Sequence, residues 1–471
     1  HNMSSSGRSA VKLRAPLPAS DEPGPVAKSR TSGKPVLVLG LGSSGDAAAR
    51  LLVRQGRSVV VVDSSRTRRL REKAEALAGM GVQVLLGRRA LPKTDFETAV
   101  VSPGIRPDSP WMKDLAARNV PVMSEFEFGA ENCVCPLLAV TGSNGKSTLV
   151  ALCADILAAA GFRVRTAGNC EPPVSAIAPV SNALDWIVAE VSSFQLETAR
   201  AFRPRVGVLI NLNPNHLDRH GTMAAYEKCK KRLFAGMGFG DTAIVPERLA
   251  AKWRRLAPEA RWVCFGTGKG ADFRFAPGRI EFKDGVLDIS GSWFDNPVMG
   301  LTAAAAAAAT AACGAPASLV AERVRAFRPL PHRFNVVAQI RGVRFIDDSK
   351  ATNLAAMESA VTMAGRNVLL IAGGLLKESG LGRVARALRQ RVRRAYLIGS
   401  GARKLAKAWR GMVPCSVCGV LERAVREAWR DARPGDTILL SPGGASFDQF
   451  GSFEERGEMF RRLALKTGGA R

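Results

Sequence analysis

The chain has 471 residues, 46% of them hydrophobic, and no apolar run reaching the roughly 20 residues of a membrane span. That length exceeds a single hydrophobic core and implies about three domains. Nine cysteines without paired spacing and a formal net charge of +27 exclude a disulfide-built secreted scaffold and suit a reducing, cytoplasmic setting. Residues 330–471 hold 25 Lys/Arg against 12 Asp/Glu, a surplus of 13 out of the 27. Such a surplus attracts nucleic acid or anionic substrates, or simply solvates a surface. Only two Tyr and seven Trp are present, too few to build stacking platforms for single strands. A solvated basic face is the reading carried forward, and nucleic acid is not expected as a partner.

Residues 1–33 are rich in Ser, Pro and Gly without an apolar segment, and read as a disordered tail. His1-Asn2 ahead of Met3 reads as a tag remnant. From residue 34 onward buried strands alternate with helices, the pattern of α/β domains with parallel sheets. Val36–Gly40, Ser58–Asp63, Val82–Leu86 and Thr98–Ser102 are strand-like, and a helix is expected over Asp46–Gln55. This first unit ends near Glu127. A second opens with the strand Leu137–Val140 and the helix Leu149–Leu157, and adds the strands Trp186–Val191 and Val206–Asn211. The alanine-rich helix Leu301–Gly314, with Gly314 as its C-terminal cap, closes that unit near residue 329. Pro329-Leu-Pro331 marks a hinge. The third unit has strands at Val343–Ile346, Asn367–Ala372, Ala395–Ile398 and Asp436–Leu440, with a basic helical stretch over Arg383–Arg394. The expected domains are therefore 34–127, 128–329 and 330–471.

Thr141-Gly-Ser-Asn-Gly-Lys-Ser-Thr148 lies between a buried strand and a helix start. Backbone N–H groups of such a loop, including those of Gly142, Asn144, Gly145 and Thr148, point at a phosphate. Lys146 adds a positive charge, and Ser147 or Thr148 a hydroxyl for Mg²⁺. The motif predicts nucleoside triphosphate binding. Gly40-Leu-Gly-Ser-Ser-Gly45 follows the first strand, with Asp63 ending the next. Alone it is a dinucleotide fingerprint and makes a dehydrogenase a rival. The phosphate loop at residue 141 has no place in such an enzyme, and the same geometry holds other nucleotide diphosphates. Glu190 ends a strand one position from the phosphate loop, where its carboxylate can share a metal with Ser147. His216 and His220 in His216-Leu-Asp-Arg-His220, and His332, are the three histidines beyond the tag. Cys415-Ser-Val-Cys418 has no second pair or nearby His, and reads as two semi-buried thiols.

Thr141–Thr148, Glu190-Val-Ser-Ser-Phe-Gln195, His216-Leu-Asp-Arg219, His332-Arg333, Asp348-Ser-Lys-Ala-Thr-Asn353 and Ser446-Phe-Asp-Gln-Phe450 together resemble the Mur ligase family, in the family's order over residues 34–465. The resemblance implies three domains: a Rossmann-like N-terminal domain, a central P-loop ATPase-like domain and a C-terminal Rossmann-like α/β domain. It also implies a monomeric, ATP-dependent ligase of peptidoglycan precursor synthesis that joins D-glutamate to UDP-N-acetylmuramoyl-L-alanine. Ser43, Ser44, Asp63, Ser64, Ser102 and Gly104 would line the uridine nucleotide. Asn169, Ser192 and Gln195 would meet the muramoyl-alanine arm. Two Mg²⁺ ions would be held by Ser147, Glu190, His216 and a carbamylated Lys230. Lys146, Lys230 and His216 would carry the chemistry. Asn296, Arg333, Asp348 and Lys350 would reach ATP together with the phosphate loop. Thr352, Lys377, Ser446, Phe447 and Phe453 would take D-glutamate. The chain departs from the family pattern at Asp295, Met299, Ser65 and Phe447. The Gly373-Gly-Leu-Leu-Lys377 loop also lacks the usual acidic residue.

Overall fold

The computed structural model describes residues 33–469; the segment read as a tail lies outside the described residues except for Gly33. Three sheets follow one another along the chain. The first is five-stranded and parallel, running Gln83–Leu86, Val59–Asp63, Val36–Leu39, Ala99–Val101, Val122–Ser124 across its width. Its order reverses direction beside the first strand, and that switch point is where doubly wound sheets leave a ligand crevice. The strands Val36–Leu39 and Val59–Val62 are buried throughout, because helices cover both faces. At Gly45 an added Cβ would stand 1.8 Å from the Gly40 carbonyl oxygen. Only glycine lets the helix Ser43–Arg54 approach the first strand so closely.

The second sheet has nine strands. Its parallel part runs Phe273–Ala276, Arg261–Gly266, Thr242–Pro246, Val206–Leu209, Leu137–Thr141, Trp186–Glu190, Val164–Gly168. An all-parallel sheet was expected from the sequence, and the edge departs from it. Arg279–Phe282 and Gly285–Asp288 add as antiparallel hairpins. The first turns through Pro277-Gly278, with Gly278 at φ 77°, a backbone that favours a tight reversal over a crossover helix. The alanine-rich helix spans Met299–Ala312, with Gly314 at φ 92° just beyond it. Its small side chains let it lie close against the sheet and the helix Lys146–Ala159; an added Cβ at Gly300 would stand 2.3 Å from the Phe275 ring. A further helix, Ala317–Ala326, follows before the third unit begins.

The third sheet runs Asn335–Ile340, Val343–Asp347, Thr437–Gly443, Val368–Gly373, Val392–Ile398, Cys415–Gly419, parallel except for the first strand. Arg383–Arg394, expected as one helical stretch, divides into a turn at Leu381–Val384, the helix Ala385–Arg391 and the start of a strand. Val392 pairs with Val368, so sheet pairing overrides helical propensity there. Cys415 and Cys418 are three apart on an edge strand and so face opposite sides, which rules out a shared chelate; burial pushes the Cys418 thiol up to about 12. No described helix is long and apolar enough to cross a membrane.

Candidate active site

The phosphate loop leaves the strand Leu137–Thr141 and enters the helix Lys146–Ala159 through Gly145 at φ 81°. Asn211 pins it from the neighbouring strand end. Its Oδ1 accepts from the N–H groups of Ser143 and Asn144 at 2.9 and 3.0 Å, and its Nδ2 donates to the Asn144 carbonyl at 2.9 Å. Lys146 Nζ curls back to the Gly142 carbonyl at 3.0 Å. Burial lowers the Lys146 pKa, against Glu190, which raises it; Arg333 and Lys350 lower it further. The Nδ2 of Asn144 is buried without a partner among the described residues, a spare donor inside an anion cradle.

Glu190 pairs in register with Val140, which sets its side chain beside the loop. Ser147 Oγ donates to Glu190 Oε2 at 2.6 Å, and Asn169 Nδ2 donates to Oε1 at 2.9 Å. Glu190 is buried. His216 takes a left-handed backbone, φ 54°, which turns its ring onto Phe194, 4.8 Å between centroids. Burial chiefly, then the Lys146 charge, lowers its pKa to about 4, so the imidazole is neutral at pH 7 with a lone pair available. Lys230 lies buried behind the loop, donating to Thr141 Oγ1 at 3.1 Å and the Gly142 carbonyl at 3.0 Å. No carboxylate lies within ion-pair reach among the described residues, and burial first, then Lys146, lowers its pKa well below that of a free lysine.

The third domain closes the site. Arg333 sits between His332 at φ 59° and Phe334 at φ 53°, two left-handed positions rarely adopted by such residues. This hook carries the guanidinium across to Ser147, with Nη2 donating to Oγ at 3.0 Å. Asn353 Nδ2 donates to Asn144 Oδ1 at 3.1 Å. Lys350 Nζ lies 3.8 Å from the centre of the Phe453 ring. Asp348 is buried, accepting from Ser441 Oγ at 2.8 Å and the Phe334 N–H at 3.1 Å. Burial raises its pKa from 3.8 to about 7. The proton it holds in the folded state stabilises the protein fully below about pH 4, and that contribution is lost as pH rises through 7. Thermal melting from pH 5 to 8 should therefore fall less steeply for Asp348→Asn than for the wild type; parallel curves would contradict this.

A cleft of about 1420 Å³ runs between the central and third domains. It gathers Asn144, Gly145, Lys146, Ser147, Thr148, Asn169, Glu190, His216, Arg333, Asp348, Lys350, Thr352, Lys377, Phe447 and Phe453 from the sequence reading. Gly142, Lys230, Ser192, Gln195, Asn296 and Ser446 are outside its wall. Ser192 and Gln195 close on each other as a helix capping box. Asn296 accepts from the Met299 N–H at 2.9 Å and donates to the Trp293 carbonyl at 2.9 Å, so its amide caps the alanine-rich helix instead of facing the cleft. Ser446 is buried, and its carbonyl accepts from the Gln449 and Phe450 N–H groups.

Ser43, Ser44, Asp63, Ser64, Ser102 and Gly104 collect at the switch point of the first sheet, apart from that cleft. Asp63 already fastens the loop, accepting from the Leu41 N–H at 2.7 Å and the Ser65 N–H at 2.8 Å. Ser102 Oγ donates to the Gly40 carbonyl at 3.3 Å. Ser43 Oγ donates to Glu171 at 2.6 Å, two residues from the Asn169 that holds Glu190. The switch-point crevice of the first domain is thus linked through Glu171 and Asn169 to the phosphate loop of the second.

Three residues received no role from the sequence. Arg219 forms a buried pair with Glu197 at 2.6 Å and donates to the Ile105 carbonyl at 3.0 Å, joining the first and central domains. Tyr226 donates to Ser143 Oγ at 3.1 Å. Arg456 is buried and binds the Ser349 hydroxyl and carbonyl and the Gly444 carbonyl at 2.9–3.2 Å. Its signal was helical phase, since Arg456, Phe460 and Ala464 lie on one apolar stripe. Arg456→Met should cost about 3 kcal/mol in chemical denaturation, because two buried carbonyls lose their donor; an unchanged midpoint would contradict that role.

Three α/β domains, the central one carrying a Gly-Lys-Ser loop under a third domain that closes on it, have the architecture of a phosphate-handling enzyme. Family models agree along the chain: a Mur ligase MurD-like N-terminal domain over residues 34–124, a Mur ligase middle domain over 140–311 and a Mur ligase glutamate ligase domain over 332–444. The chain belongs to the Mur ligase family. It is 37% identical over 456 residues to the UDP-N-acetylmuramoylalanine–D-glutamate ligase of Pelotomaculum thermopropionicum, covering 92% of this chain and 97% of that one. It is 39% identical over 438 residues to the ligase of the same name from Gloeobacter violaceus, covering 91% and 98%. The MurF ligase of Thermotoga maritima, solved with ADP, shares the fold at a TM-score of 0.63 and 16% identity, covering 87% of this chain and 96% of that chain.

Proposed function

We propose that this protein uses ATP to join D-glutamate to UDP-N-acetylmuramoyl-L-alanine. One observation carries the phosphate half of that reading. Lys146, Arg333 and Lys350 converge on the loop beside Glu190; beyond the effect of burial, Arg333 lowers the pKa of both lysines and Lys350 that of Lys146. Burial raises the pKa of Asp348 to about 7, so it carries only part of a negative charge at neutral pH. Such a cluster is the electrostatic complement of a triphosphate tail. The relatives, named as ligases of D-glutamate and UDP-N-acetylmuramoylalanine, supply the amino acid and the nucleotide sugar.

A carboxylate resists attack by an amine because its oxygens are poor leaving groups. The alanine carboxylate would take the γ-phosphoryl group of ATP, giving an acyl phosphate and ADP. The D-glutamate amine would then attack that carbonyl, expelling phosphate and forming the amide. Lys146 and Arg333 spread the charge of the in-line transfer. Closure of the third domain, seen in the Arg333–Ser147 and Asn353–Asn144 bonds, keeps water from the acyl phosphate.

The oxygen donors fit magnesium: the Ser147 hydroxyl and the Glu190 carboxylate meet at 2.6 Å beside the loop, and His216 would stand at its edge. Mg²⁺ takes one or two carboxylates and completes its octahedron with phosphate and water oxygens. Bound there, it supplies charge neutralisation to the transferring phosphoryl group. Lys230, buried without an acidic partner among the described residues and with its pKa lowered by burial, is the candidate for a carbamate that would add anionic oxygens beside the loop. Ser43, Ser44, Ser64 and Ser102 would hold the uridine diphosphate, and Lys377, Thr352 and Phe453 the amino acid. The decisive assay is phosphate release requiring ATP, D-glutamate and UDP-N-acetylmuramoyl-L-alanine together. Release independent of the nucleotide sugar would overturn the reading.

A further inference from the structure

A substrate anchored at the switch point of the first sheet reaches the phosphate loop of the second only if the two domains keep one register. Arg219 sits on that boundary. It belongs to the one-turn helix Leu217–His220, where its N–H donates to the His216 carbonyl at 3.1 Å. Its guanidinium meets three partners. Nε and Nη2 donate to the Glu197 carboxylate at 2.6–3.1 Å, and both side chains are 8% exposed. Nη2 also donates to the Ile105 carbonyl of the first domain at 3.0 Å. Its Cζ stands 4.0 Å from the centre of the Phe194 ring, the distance of a cation over an aromatic face.

Each partner leads to a different part of the machinery. The Ile105 N–H donates to the Ser102 carbonyl at 3.0 Å, so Ile105 closes the turn through Ser102 and Gly104, and the bond from Arg219 fixes that crevice loop. Phe194 packs on the His216 ring, 4.8 Å between centroids, so the same guanidinium backs the imidazole that lines the cleft. Glu197 follows the short helix that the Ser192–Gln195 capping box opens, directly downstream of Glu190. Its Oε1 also stands 3.4 Å from His220 Nδ1, while His220 Nε2 meets Ser193 Oγ at 2.9 Å, so the carboxylate is braced from a second side. The planar fork of arginine holds a carboxylate and a carbonyl at once, which the single ammonium of lysine does not reproduce. Burial gives the contact weight, since a surface ion pair of the same length would contribute little.

We propose that Arg219 is a positioning residue that sets the crevice of the first domain in register with the phosphate loop, so that the nucleotide sugar presents its carboxylate to the γ-phosphoryl group. The proposal rests on the ligase reading. Neither UDP nor ADP spans the domain boundary, whereas phosphoryl transfer to the nucleotide sugar does. The test compares R219M and R219K with the wild type in the three-substrate phosphate-release assay, with calorimetric binding of UDP and of ADP to each. R219M should lose about 100-fold in kcat, the size expected when reacting groups are misplaced by about 1 Å. Its Kd for UDP and for ADP should each stay within about threefold of the wild type. R219K keeps a charge opposite Glu197, and so should fold as the wild type does and still lose about tenfold in kcat. If R219M does not fold, R219K decides alone. In a wild type that ligates D-glutamate, a kcat within about threefold of normal in R219K or in folded R219M overturns the Arg219 assignment by itself. So does a rise in both Kd values that matches the loss in kcat, the mark of a pair that only holds the fold. A wild type that ligates no D-glutamate overturns the functional reading and this proposal with it.

Discussion

Lys146→Ala should lower ligation turnover by at least about 100-fold, with little change in melting temperature. The ammonium group is held 3.0 Å from the Gly142 carbonyl, inside the loop that would surround the phosphates. Burial has already weakened its hold on a proton, and Arg333 and Lys350 weaken it further. Its charge is therefore stabilised best when a polyanion is bound, which makes the interaction stronger as negative charge moves between oxygens. Truncation leaves the loop itself intact, because Asn211 and not Lys146 pins the backbone of Ser143 and Asn144. Steady-state kinetics in all three substrates would measure the loss. Near-normal turnover in Lys146→Ala would refute the assignment of this loop to ATP.

Lys230→Ala should cost about 100-fold or more, and part of the activity should return with short carboxylates such as acetate or formate. A buried lysine without an acidic partner is expensive unless it is neutral. A neutral amine is also a nucleophile, able to add carbon dioxide and release a proton to become a carbamate, and the negative charge so gained beside Lys146 is electrostatically favourable. The added carboxylate would occupy the space the side chain vacates and restore the negative charge. Protein equilibrated with ¹³C-labelled carbon dioxide should show a carbamate resonance that Lys230→Ala lacks. Full activity in the variant, with no response to any carboxylate, would remove Lys230 from the chemistry.

Much of the site was legible because its parts are local. A Gly-rich loop after a buried strand means a phosphate cradle wherever it occurs, and Glu190 at a strand end next to it follows from the period-2 alternation of sheets. The chemistry of Lys230 was not written locally. Lys228 and Lys231 stand beside it in the sequence, and only the helix phase buries Lys230 while Lys231 pairs with Glu227 at 2.8 Å. Asn296 is ambiguous for the opposite reason, since an Asn ahead of a helix serves equally as a ligand and as a cap, and the structure shows its capping bonds. Arg456 was hidden among the charges of its own helix.

By itself the sequence determined the α/β class, the three-part order, the phosphate loop and the family, since each is set by short-range patterns of burial and backbone freedom. The tertiary structure alone decided which cations meet. Arg333 lies 186 residues from Ser147 and Asn353 lies 209 from Asn144, and no local pattern encodes a contact across such a separation. Domain packing brings them together: the surplus of positive groups at one cleft is a property of the folded arrangement, invisible in a net count.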